Sequence, residues 1–249
     1  MIDNFKLYSQ CYDLLYSEKN YKTEVSYVIK KLSDFYFSNN LILNLGSGTG
    51  RHDEVFREMG FQTLGIELSN EMVQIARSKG LDCIVGNISD FRVDKKFDTI
   101  LSLFHVVSYL NSNDEISNLF HCVYDHLNQD GVFMFDVWYT PAVHRQIPEQ
   151  RIKQCENDSL KIHRLATPTV DYFTNTVKIK YDIKVFDKVL KKETLFSEIH
   201  SMRHFSVPEL SYLAELNGLE LLNCEEFLTS NPLSDQTWGA CFIFKKNGK

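Results

Sequence analysis

The feature that most constrains the fold is LILNLGSGTG (residues 41–50), where an apolar run meets three glycines at alternate positions. Short apolar runs and amphipathic stretches then alternate along the chain, as LILNL, HDEVFREMG, QTLGIEL and SNEMVQIARSKG. This order predicts strand, helix, strand and helix, with connections that suit parallel crossover units. DCIVGN, FDTILSLF and VFMFDVW predict three more strands, the last after a helix that reaches Leu127.

The pattern changes after Pro141. Apolar and polar residues alternate over residues 159–205, with turns at TNT and DKVLKK, which predicts an antiparallel meander. A capping box at Ser206 and Glu209 begins a helix that Gly218 ends. Two strands follow, LELLNCEEFL and WGACFIFKK, and with no predicted helix between them they must pair antiparallel. One strand of the parallel sheet is therefore expected to be reversed.

The glycine loop predicts a ligand site. A strand that enters a glycine-rich turn and then a helix presents backbone N–H groups and bare main chain to a ligand. The next predicted strand ends in Glu67, where a carboxylate can accept hydrogen bonds from ribose hydroxyls. Dinucleotide enzymes use G-x-G-x-x-G around a pyrophosphate, whereas Gly46, Gly48 and Gly50 follow G-x-G-x-G. These features favour nucleoside binding without a pyrophosphate.

Composition excludes several partners. The 249 residues include 33 Asp or Glu and 27 Lys or Arg, and a net charge of −6 disfavours a broad nucleic-acid surface. The amino terminus lacks the basic start and apolar core of a signal peptide, and no apolar stretch approaches membrane-spanning length. The six cysteines lack metal-site spacing. We therefore expect a cytoplasmic protein with no metal, no membrane and no nucleic-acid partner.

Five motifs, in order, resemble those of class I S-adenosylmethionine-dependent methyltransferases. LNLGSGTGRH and LGIELSNEMVQIAR resemble the first two motifs, and GNISDF resembles the adenine-contacting motif. FDTILSLFHVVSYL and LNQDGVFMFDVW resemble the fourth and fifth strands. A finer resemblance, to enzymes that N-methylate nucleotide-linked amino sugars, is carried by YDLLYSEKNYKTE, the meander and SEIHSMRHFSVPEL.

The expected fold class is α/β: a Rossmann-like, mostly parallel seven-stranded sheet with one reversed strand, plus an antiparallel β cover. We expect a single methyltransferase domain over residues 1–249. Its expected parts are an N-terminal helical lid (1–40), a cofactor-binding core (41–140), the antiparallel cover (141–205), and a closing helix and strand pair (206–249).

The resemblance implies a site for S-adenosylmethionine, in which Glu67 binds both ribose hydroxyls and Leu68 packs on the adenine. Asn44 and Asn87 stand where the family usually or often has an acid, so each keeps an acceptor oxygen but loses a charge. The expected cofactor-binding residues are Tyr12, Tyr21, Asn44, Gly46, Ser47, Gly48, Glu67, Leu68, Asn87, Ile88 and Leu103.

The sulfonium of that cofactor is an activated methyl donor, so the enzyme mainly aligns an acceptor lone pair and excludes water. An amine acceptor must arrive deprotonated, and one polar side chain can orient it or relay its proton. The expected catalytic residues are Tyr109, where sugar-methylating relatives often have His, then His105 and His200. The expected substrate-binding residues are Tyr16, Trp138, Tyr139 and Arg203.

The charge of the cover is consistent with an anionic substrate. From Arg151 to Arg203 there are 11 Lys or Arg and 7 Asp or Glu, a net charge of +4. Lysines that only solvate a strand face are the competing interpretation. We favour methylation of the amino group of a nucleotide-linked sugar. O-methylation of a sugar or another small metabolite, an NAD-dependent oxidoreductase and a non-catalytic cofactor-binding module stay open. The oligomeric state is also open, with a homodimer as one alternative.

Overall fold

Two sheets organise the chain. The computed structural model describes residues 11–33 and 40–247, which fall into two units. A seven-stranded unit contains the described residues of 20–146 and 204–247, and a four-stranded unit contains 11–19 and 147–203. The strands are β1 (Leu41–Leu45), β2 (Gln62–Glu67), β3 (Cys83–Val85), β4 (Phe97–Ser102), β5 (Leu127–Trp138), β6 (Arg151–Glu156), β7 (Leu160–Asp171), β8 (Thr176–Asp187), β9 (Lys192–Arg203), β10 (Leu219–Glu226) and β11 (Gly239–Lys246).

Helices connect the strands of the seven-stranded unit. They are α1 (Tyr21–Leu32), α2 (Arg51–Glu58), α3 (Asn70–Ser78), α4 (Asn113–His126), α5 (Thr140–Arg145) and α6 (Val207–Leu216), with a 3-10 helix at Val106–Tyr109. In the described ranges, no helix has the length and apolar character needed to cross a membrane.

The strand order of the larger sheet is β10-β11-β5-β4-β1-β2-β3. The neighbours β1 and β2, β2 and β3, β1 and β4, and β4 and β5 pair in parallel. β11 pairs antiparallel with both β5 and β10. This arrangement confirms the prediction of a mostly parallel seven-stranded sheet with one reversed strand.

The core of the larger sheet is rich in aromatic rings. All six residues of β4 are buried, as expected for a central parallel strand covered on both faces. The rings of Phe135, Phe242 and Phe244 stack across β5 and β11, with 5.8 Å between the centroids of Phe135 and Phe244. Phe120 of α4 packs against Phe135 at 6.2 Å. This cluster fixes the reversed strand against the parallel part of the sheet.

Helix-capping signals in the sequence have the structures that they predict. The Ser69 hydroxyl accepts a hydrogen bond from the backbone of Met72 and caps α3. The capping box of Ser206 and Glu209 begins α6. Gly80 and Gly218 follow α3 and α6 with φ of 73° and 77°, which is the left-handed conformation of a glycine stop.

One predicted boundary is wrong. The sequence pattern continues the fourth long helix through Leu127, but α4 ends at His126 and Leu127 is the first residue of β5. The Leu127 N–H still donates to the Val123 carbonyl, yet its ψ of 139° turns the chain into the extended conformation. Leu127 then pairs with Phe97 of β4. Strand pairing therefore overrides the helical spacing of this leucine.

The four-stranded unit is the predicted antiparallel meander with one additional strand. The order is β6-β7-β8-β9, and each neighbouring pair is antiparallel. Its buried cluster contains Ile162, Ile183 and Phe196, packed with Cys11 and Leu15 of the same unit. The strand β6 was not predicted. Residues 1–10 and 34–39 of the expected lid (1–40) lie outside the described residues, and its described residues are divided between the two units. The single-domain organisation stays a prediction.

Candidate functional site

The candidate site lies at the carboxyl ends of β1, β2, β4 and β5. These strands are parallel, so the loops that follow them emerge at one edge of the sheet. From β1 the strand order continues to β2 on one side, and from β4 it continues to β5 on the other. Such a reversal of strand order opens a crevice at the carboxyl edge, where open α/β sheets bind ligands.

The glycines after β1 have two different roles, internal packing and open space beside the main chain. Gly46 and Gly50 have φ of 71° and 79°, and each approaches a side chain of the protein itself. A Cβ atom at Gly46 would lie 2.3 Å from Cγ1 of Val106, and one at Gly50 would lie 2.3 Å from Cδ1 of Leu81. These two glycines are therefore needed for internal packing.

Gly48 is different. Its φ is 58°, and the nearest atom to a Cβ placed there would be the Met72 sulfur at 4.0 Å. Among residues 11–33 and 40–247 no atom crowds this position, so the missing side chain leaves open space beside the main chain there. That space is what a ligand lying along the loop requires.

Glu67 links the glycine loop to the end of β2. One carboxylate oxygen accepts a hydrogen bond from the Gly48 N–H at 2.9 Å, and the other accepts from the Ser69 N–H at 2.8 Å. Burial raises the pKa of Glu67, and these N–H groups act in the opposite direction. Each oxygen keeps a further lone pair for a ligand hydroxyl. The adjacent Leu68 side chain is 69% exposed, which offers an apolar surface for a flat ring.

Two polar side chains expected at the cofactor are occupied within the protein. Asn44 is only 2% exposed, and its Nδ2 donates to Oδ2 of Asp53 at 2.8 Å. The buried Ser47 hydroxyl lies 3.3 Å from the Cys83 sulfur. The roles expected for Asn44 and Ser47 in ligand binding stay predictions.

The expected adenine-contacting residues follow β3. The Asn87 side-chain oxygen accepts from both the backbone N–H and the hydroxyl of Ser89, each at 3.0 Å. This turn leaves Asn87 exposed, while Ile88 is buried, as is Leu103 after β4. The side chains of Ile88 and Leu103 belong to the core, so a ligand role for either would use its backbone, as predicted.

The loop after β4 is held by a buried carboxylate. Phe104 and His105 have φ of 68° and 60°, an uncommon conformation for non-glycine residues. Asp136 of β5 accepts from the Phe104 N–H at 2.7 Å and from the His105 N–H at 3.2 Å. The Nδ1 atom of His105 lies 2.6 Å from Oδ2 of Asp136. Burial opposes ionisation, but His105 and these N–H groups hold the pKa of Asp136 below its usual value.

The sequence analysis missed Asp136. The available signal was a single carboxylate inside the apolar run VFMFDVW. A charge inside a buried strand is costly unless it is paired, so its position alone suggested a specific partner. Its partner is the predicted catalytic residue His105, which is distant along the chain.

Aromatic side chains surround His105. The rings of His105 and Trp138 are 6.2 Å apart, and Trp138 contacts Trp238 edge-on at 5.7 Å. Tyr109, at the end of the 3-10 helix, is 45% exposed. Tyr139 forms a β-bridge with Phe205 and is the N-cap residue that precedes α5. Burial raises the pKa of its hydroxyl. The structure thus brings together His105, which follows β4, and Trp138, the last residue of β5. Their expected roles at the acceptor stay predictions.

Tyr21, expected over the cofactor, is a core residue between α1 and α2. It is buried, its ring packs edge-on against His52 at 4.9 Å, and the Arg51 guanidinium lies 5.2 Å from its centroid. His52 in turn lies 2.7 Å from a Glu24 oxygen, a buried pair that the sequence analysis also missed.

The remaining expected residues belong to the four-stranded unit. Tyr12 and Tyr16 pack with 4.7 Å between ring centroids. The Arg164 guanidinium donates to the Tyr16 hydroxyl at 3.2 Å and lies 4.6 Å over the Tyr181 ring. The unit therefore contains a cationic group stacked on aromatic rings.

His200 and Arg203 are on β9 of the same unit. The Nε2 atom of His200 lies 3.1 Å from a Glu198 oxygen, and both side chains are largely buried. His200 also packs edge-on against Tyr181 at 4.9 Å. Arg203 is buried at the strand end, where it pairs with Thr176. The expected catalytic and substrate-binding roles of these two residues stay predictions.

The glycine loop, Glu67 and the loop after β4 lie in a segment that matches a known family. Residues 42–131 match the family described as Methyltransferase domain. A curated relative, dTDP-3-amino-3,4,6-trideoxy-alpha-D-glucopyranose N,N-dimethyltransferase of Streptomyces venezuelae, is 30% identical over 138 residues. That alignment covers 54% of this chain and 58% of the relative, so the chain spans little more than half the length of this relative.

Solved structures share the fold over nearly the whole chain. An S-adenosylmethionine-dependent methyltransferase from Clostridium acetobutylicum has a TM-score of 0.81 at 22% identity, covering 98% of this chain and 99% of that one. CalS10, a SAM-bound amino pentose methyltransferase from Micromonospora echinaspora, has a TM-score of 0.75 at 20% identity, covering 97% of each chain. At these identities the likeness concerns the fold. Residues 42–131 of this chain are therefore similar in sequence to the family described as Methyltransferase domain, and the solved structures share the fold over nearly the whole chain.

Proposed function

We propose that this chain transfers a methyl group from S-adenosylmethionine to a small molecule, with the amino group of a nucleotide-linked sugar as the favoured acceptor. The observation that carries the proposal is the pairing of the Glu67 carboxylate with the open main chain at Gly48, inside the segment that matches the methyltransferase domain. A carboxylate that can accept hydrogen bonds, beside an uncrowded glycine, suits a ligand that has a ribose and an extended chain.

The residues present fit this cofactor. Glu67 has lone pairs left for the ribose hydroxyls, the open side of Gly48 accommodates the methionine portion, and exposed Leu68 covers the adenine. When bound, the cofactor supplies a sulfonium-activated methyl group. The further cofactor contacts in this proposal are those of Tyr12, Tyr21, Asn44, Gly46, Ser47, Asn87, Ile88 and Leu103.

The names of similar proteins and the distribution of charge support the acceptor. The curated relative from Streptomyces venezuelae is named for a dTDP-linked amino sugar, and CalS10 is described as an amino pentose methyltransferase. Residues 151–203 carry 11 basic and 7 acidic side chains, which would attract a nucleotide-linked substrate to the four-stranded unit. The net charge of −6 makes nucleic acid a poor acceptor. A cytoplasmic location and a homodimer stay predictions.

For the acceptor side of the site, the proposal keeps two groups of residues. Tyr109, His105 and His200 are the candidates for orienting the amine or taking its proton, and Tyr16, Trp138, Tyr139 and Arg203 are the candidates for lining its pocket. His105 has the most specific geometry among these, because a buried carboxylate holds its ring. O-methylation would use the same cofactor site with a hydroxyl acceptor.

Calorimetric titration tests the cofactor. S-Adenosylhomocysteine should bind the wild type, and NADH should not. Glu67→Gln should weaken S-adenosylhomocysteine binding by about tenfold to a hundredfold, the value of one charge-assisted hydrogen bond. Glu58→Gln, at an exposed glutamate of α2, is the matched control and should bind like wild type. Failure to bind S-adenosylhomocysteine would refute the proposal, and binding of NADH instead would favour an oxidoreductase.

The acceptor is then tested by methyl transfer. Radiolabelled S-adenosylmethionine is incubated with dTDP-linked amino sugars and with the matching sugars that carry a hydroxyl in place of the amine. Labelling of the amino sugars alone would support N-methylation, and labelling of the hydroxyl sugars would favour O-methylation. Binding of S-adenosylhomocysteine without transfer to any acceptor would favour a non-catalytic module.

A further inference from the structure

The pair formed by Asp136 and His105 has a geometry that ordinary packing does not require. Asp136 is only 1% exposed, and it lies in the middle of the sheet, on a strand between β4 and β11. Its two oxygens contact three groups of one loop: the Phe104 N–H, the His105 N–H and the His105 Nδ1 atom. One carboxylate thus holds both the backbone and the ring of His105.

This contact favours one tautomer of His105. The Nδ1 atom lies 2.6 Å from Asp136 Oδ2, although the two atoms do not form an aligned hydrogen bond. Because an ionised carboxylate has only acceptor positions, a lone pair on Nδ1 would be repelled at this distance, which favours a proton on Nδ1. The lowered pKa of Asp136 keeps that carboxylate ionised. In a neutral imidazole with a proton on Nδ1, the Nε2 atom has the free lone pair. Nε2 is therefore the atom of His105 that can accept a proton.

The backbone of the loop is strained, and Asp136 compensates for the strain. Non-glycine residues rarely adopt the left-handed region, because the Cβ atom comes too close to the following carbonyl oxygen. Phe104 and His105 are two consecutive residues in this region, and both of their N–H groups are bound by the carboxylate. Strain that the surroundings hold in place is typical of positions where a side chain must be aimed.

His105 is aimed at the carboxyl edge of the sheet. Its side chain keeps 24% of its surface exposed, although its partner Asp136 is fully enclosed. The next residue, Val106, packs on Gly46 of the glycine loop. On the other side, a Cβ atom at Gly239 would lie 3.5 Å from His105 Cε1, an ordinary van der Waals distance, so the ring is adjacent to this residue of β11. His105 is thus adjacent to the glycine loop and to the end of β5.

We propose that Asp136 is a positioning residue that presents Nε2 of His105 as the proton acceptor for the amine that is methylated. This inference rests on the proposed function. The acceptor enters as an ammonium, and one of its N–H protons moves to Nε2. The electron pair of that N–H bond becomes the reactive lone pair of the neutral amine, and the imidazolium later releases the proton to water. The negative charge of Asp136 stabilises the imidazolium while it exists.

The first test examines the tautomer and needs no acceptor. Nitrogen-15 chemical shifts of the histidine rings are recorded on the full chain, and His105→Gln identifies the His105 signals by their loss. We expect the Nδ1–H form in the wild type. The Nε2–H form at His105 in the wild type would overturn the inference, whatever the cofactor titration gives.

The second test is a double-mutant cycle on methyl transfer. The acceptor probe is the dTDP-3-amino sugar for which the curated relative is named. Asp136→Asn and His105→Gln should each lower kcat by about a hundredfold, the usual contribution of general base catalysis. The double variant should be no slower than His105→Gln, because residues that act as one unit are not additive. Losses that multiply would show that Asp136 acts independently of His105 and would overturn the inference.

Controls separate this inference from folding and from the proposed function. Asp98→Asn changes another buried carboxylate, which accepts from Asn128 at the opposite end of β4, and should leave kcat unchanged. S-Adenosylhomocysteine should bind all variants with wild-type affinity. If the wild type fails to bind it, the proposed function fails. If binding is intact but His105→Gln keeps full kcat, only the inference fails.

Discussion

Replacing Gly46 with Ala tests whether the glycine loop is shaped by the protein's own packing. Gly46 has φ of 71°, and the new Cβ would lie 2.3 Å and 2.7 Å from the two methyl carbons of Val106. The left-handed backbone costs an L residue about 1–2 kcal/mol. Forced overpacking costs about 1–3 kcal/mol more. We therefore expect the free energy of unfolding to fall by about 2–5 kcal/mol.

Urea unfolding followed by circular dichroism measures this loss. The matched control is Gly60→Ala, because Gly60 has φ of 88° and no atom of the described part of the chain lies within 4 Å of an added Cβ. The control should lose only the backbone contribution of about 1–2 kcal/mol. In a Val106→Ala background the two methyl carbons are gone, so Gly46→Ala should cost about 1–3 kcal/mol less than in the wild type. Equal losses at Gly46 and Gly60, or the same loss at Gly46 in both backgrounds, would refute the reasoning.

Three further predictions concern ligand binding, pH and a buried hydrogen bond. Gly48→Ala should lower the free energy of unfolding by only about 1–2 kcal/mol, since the nearest atom to the new Cβ is the Met72 sulfur at 4.0 Å. The same variant should abolish S-adenosylhomocysteine binding in calorimetry, and unchanged affinity would contradict a ligand beside Gly48. Burial raises the pKa of Glu67, so the folded state favours the protonated form of this side chain. The contribution of Glu67 to the free energy of unfolding is therefore fully present below the ordinary pKa of 4.5 and is lost as pH rises through the native pKa. In urea unfolding at several pH values, Glu67→Gln should remove this pH dependence of the free energy of unfolding. Identical pH profiles for the variant and the wild type would contradict the prediction. Tyr27→Phe deletes the hydroxyl that donates to Glu225 at 2.7 Å, and should lower the free energy of unfolding by about 1.5–3 kcal/mol; a loss within experimental error would contradict a buried charge-assisted bond.

Elements governed by local chemistry could be predicted from the sequence. The apolar run 41–45 could only be a strand buried on both faces, and Ser69 and Ser206 are caps whose partners lie three residues away. The reversed strand followed from topology, since consecutive strands without a helix between them pair antiparallel. The position of Glu67 in the fold was predictable because this residue ends the strand that follows the glycine loop.

Contacts between distant residues could not be predicted. No local pattern connects Asp136 to His105, because their pairing depends on β4 and β5 being neighbours. For the same reason the sequence did not show that Val106 makes Gly46 obligatory, or that Asn44 is bound to Asp53. Glycine spacing alone cannot distinguish internal packing from ligand approach.

The pairing of β5 with β11 has a consequence for biosynthesis. The ribosome synthesises β5 first, then strands β6 to β9 of the four-stranded unit, and only afterwards β11. Until β11 emerges, the nascent chain carries β5 as an open edge with the aromatic rings of Phe133 and Phe135, a surface prone to pairing with other chains. In this pairing Trp138 lies opposite Gly239, and Gly239 is adjacent to His105. Closing that edge and completing the surroundings of His105 therefore both wait until β11 has been synthesised.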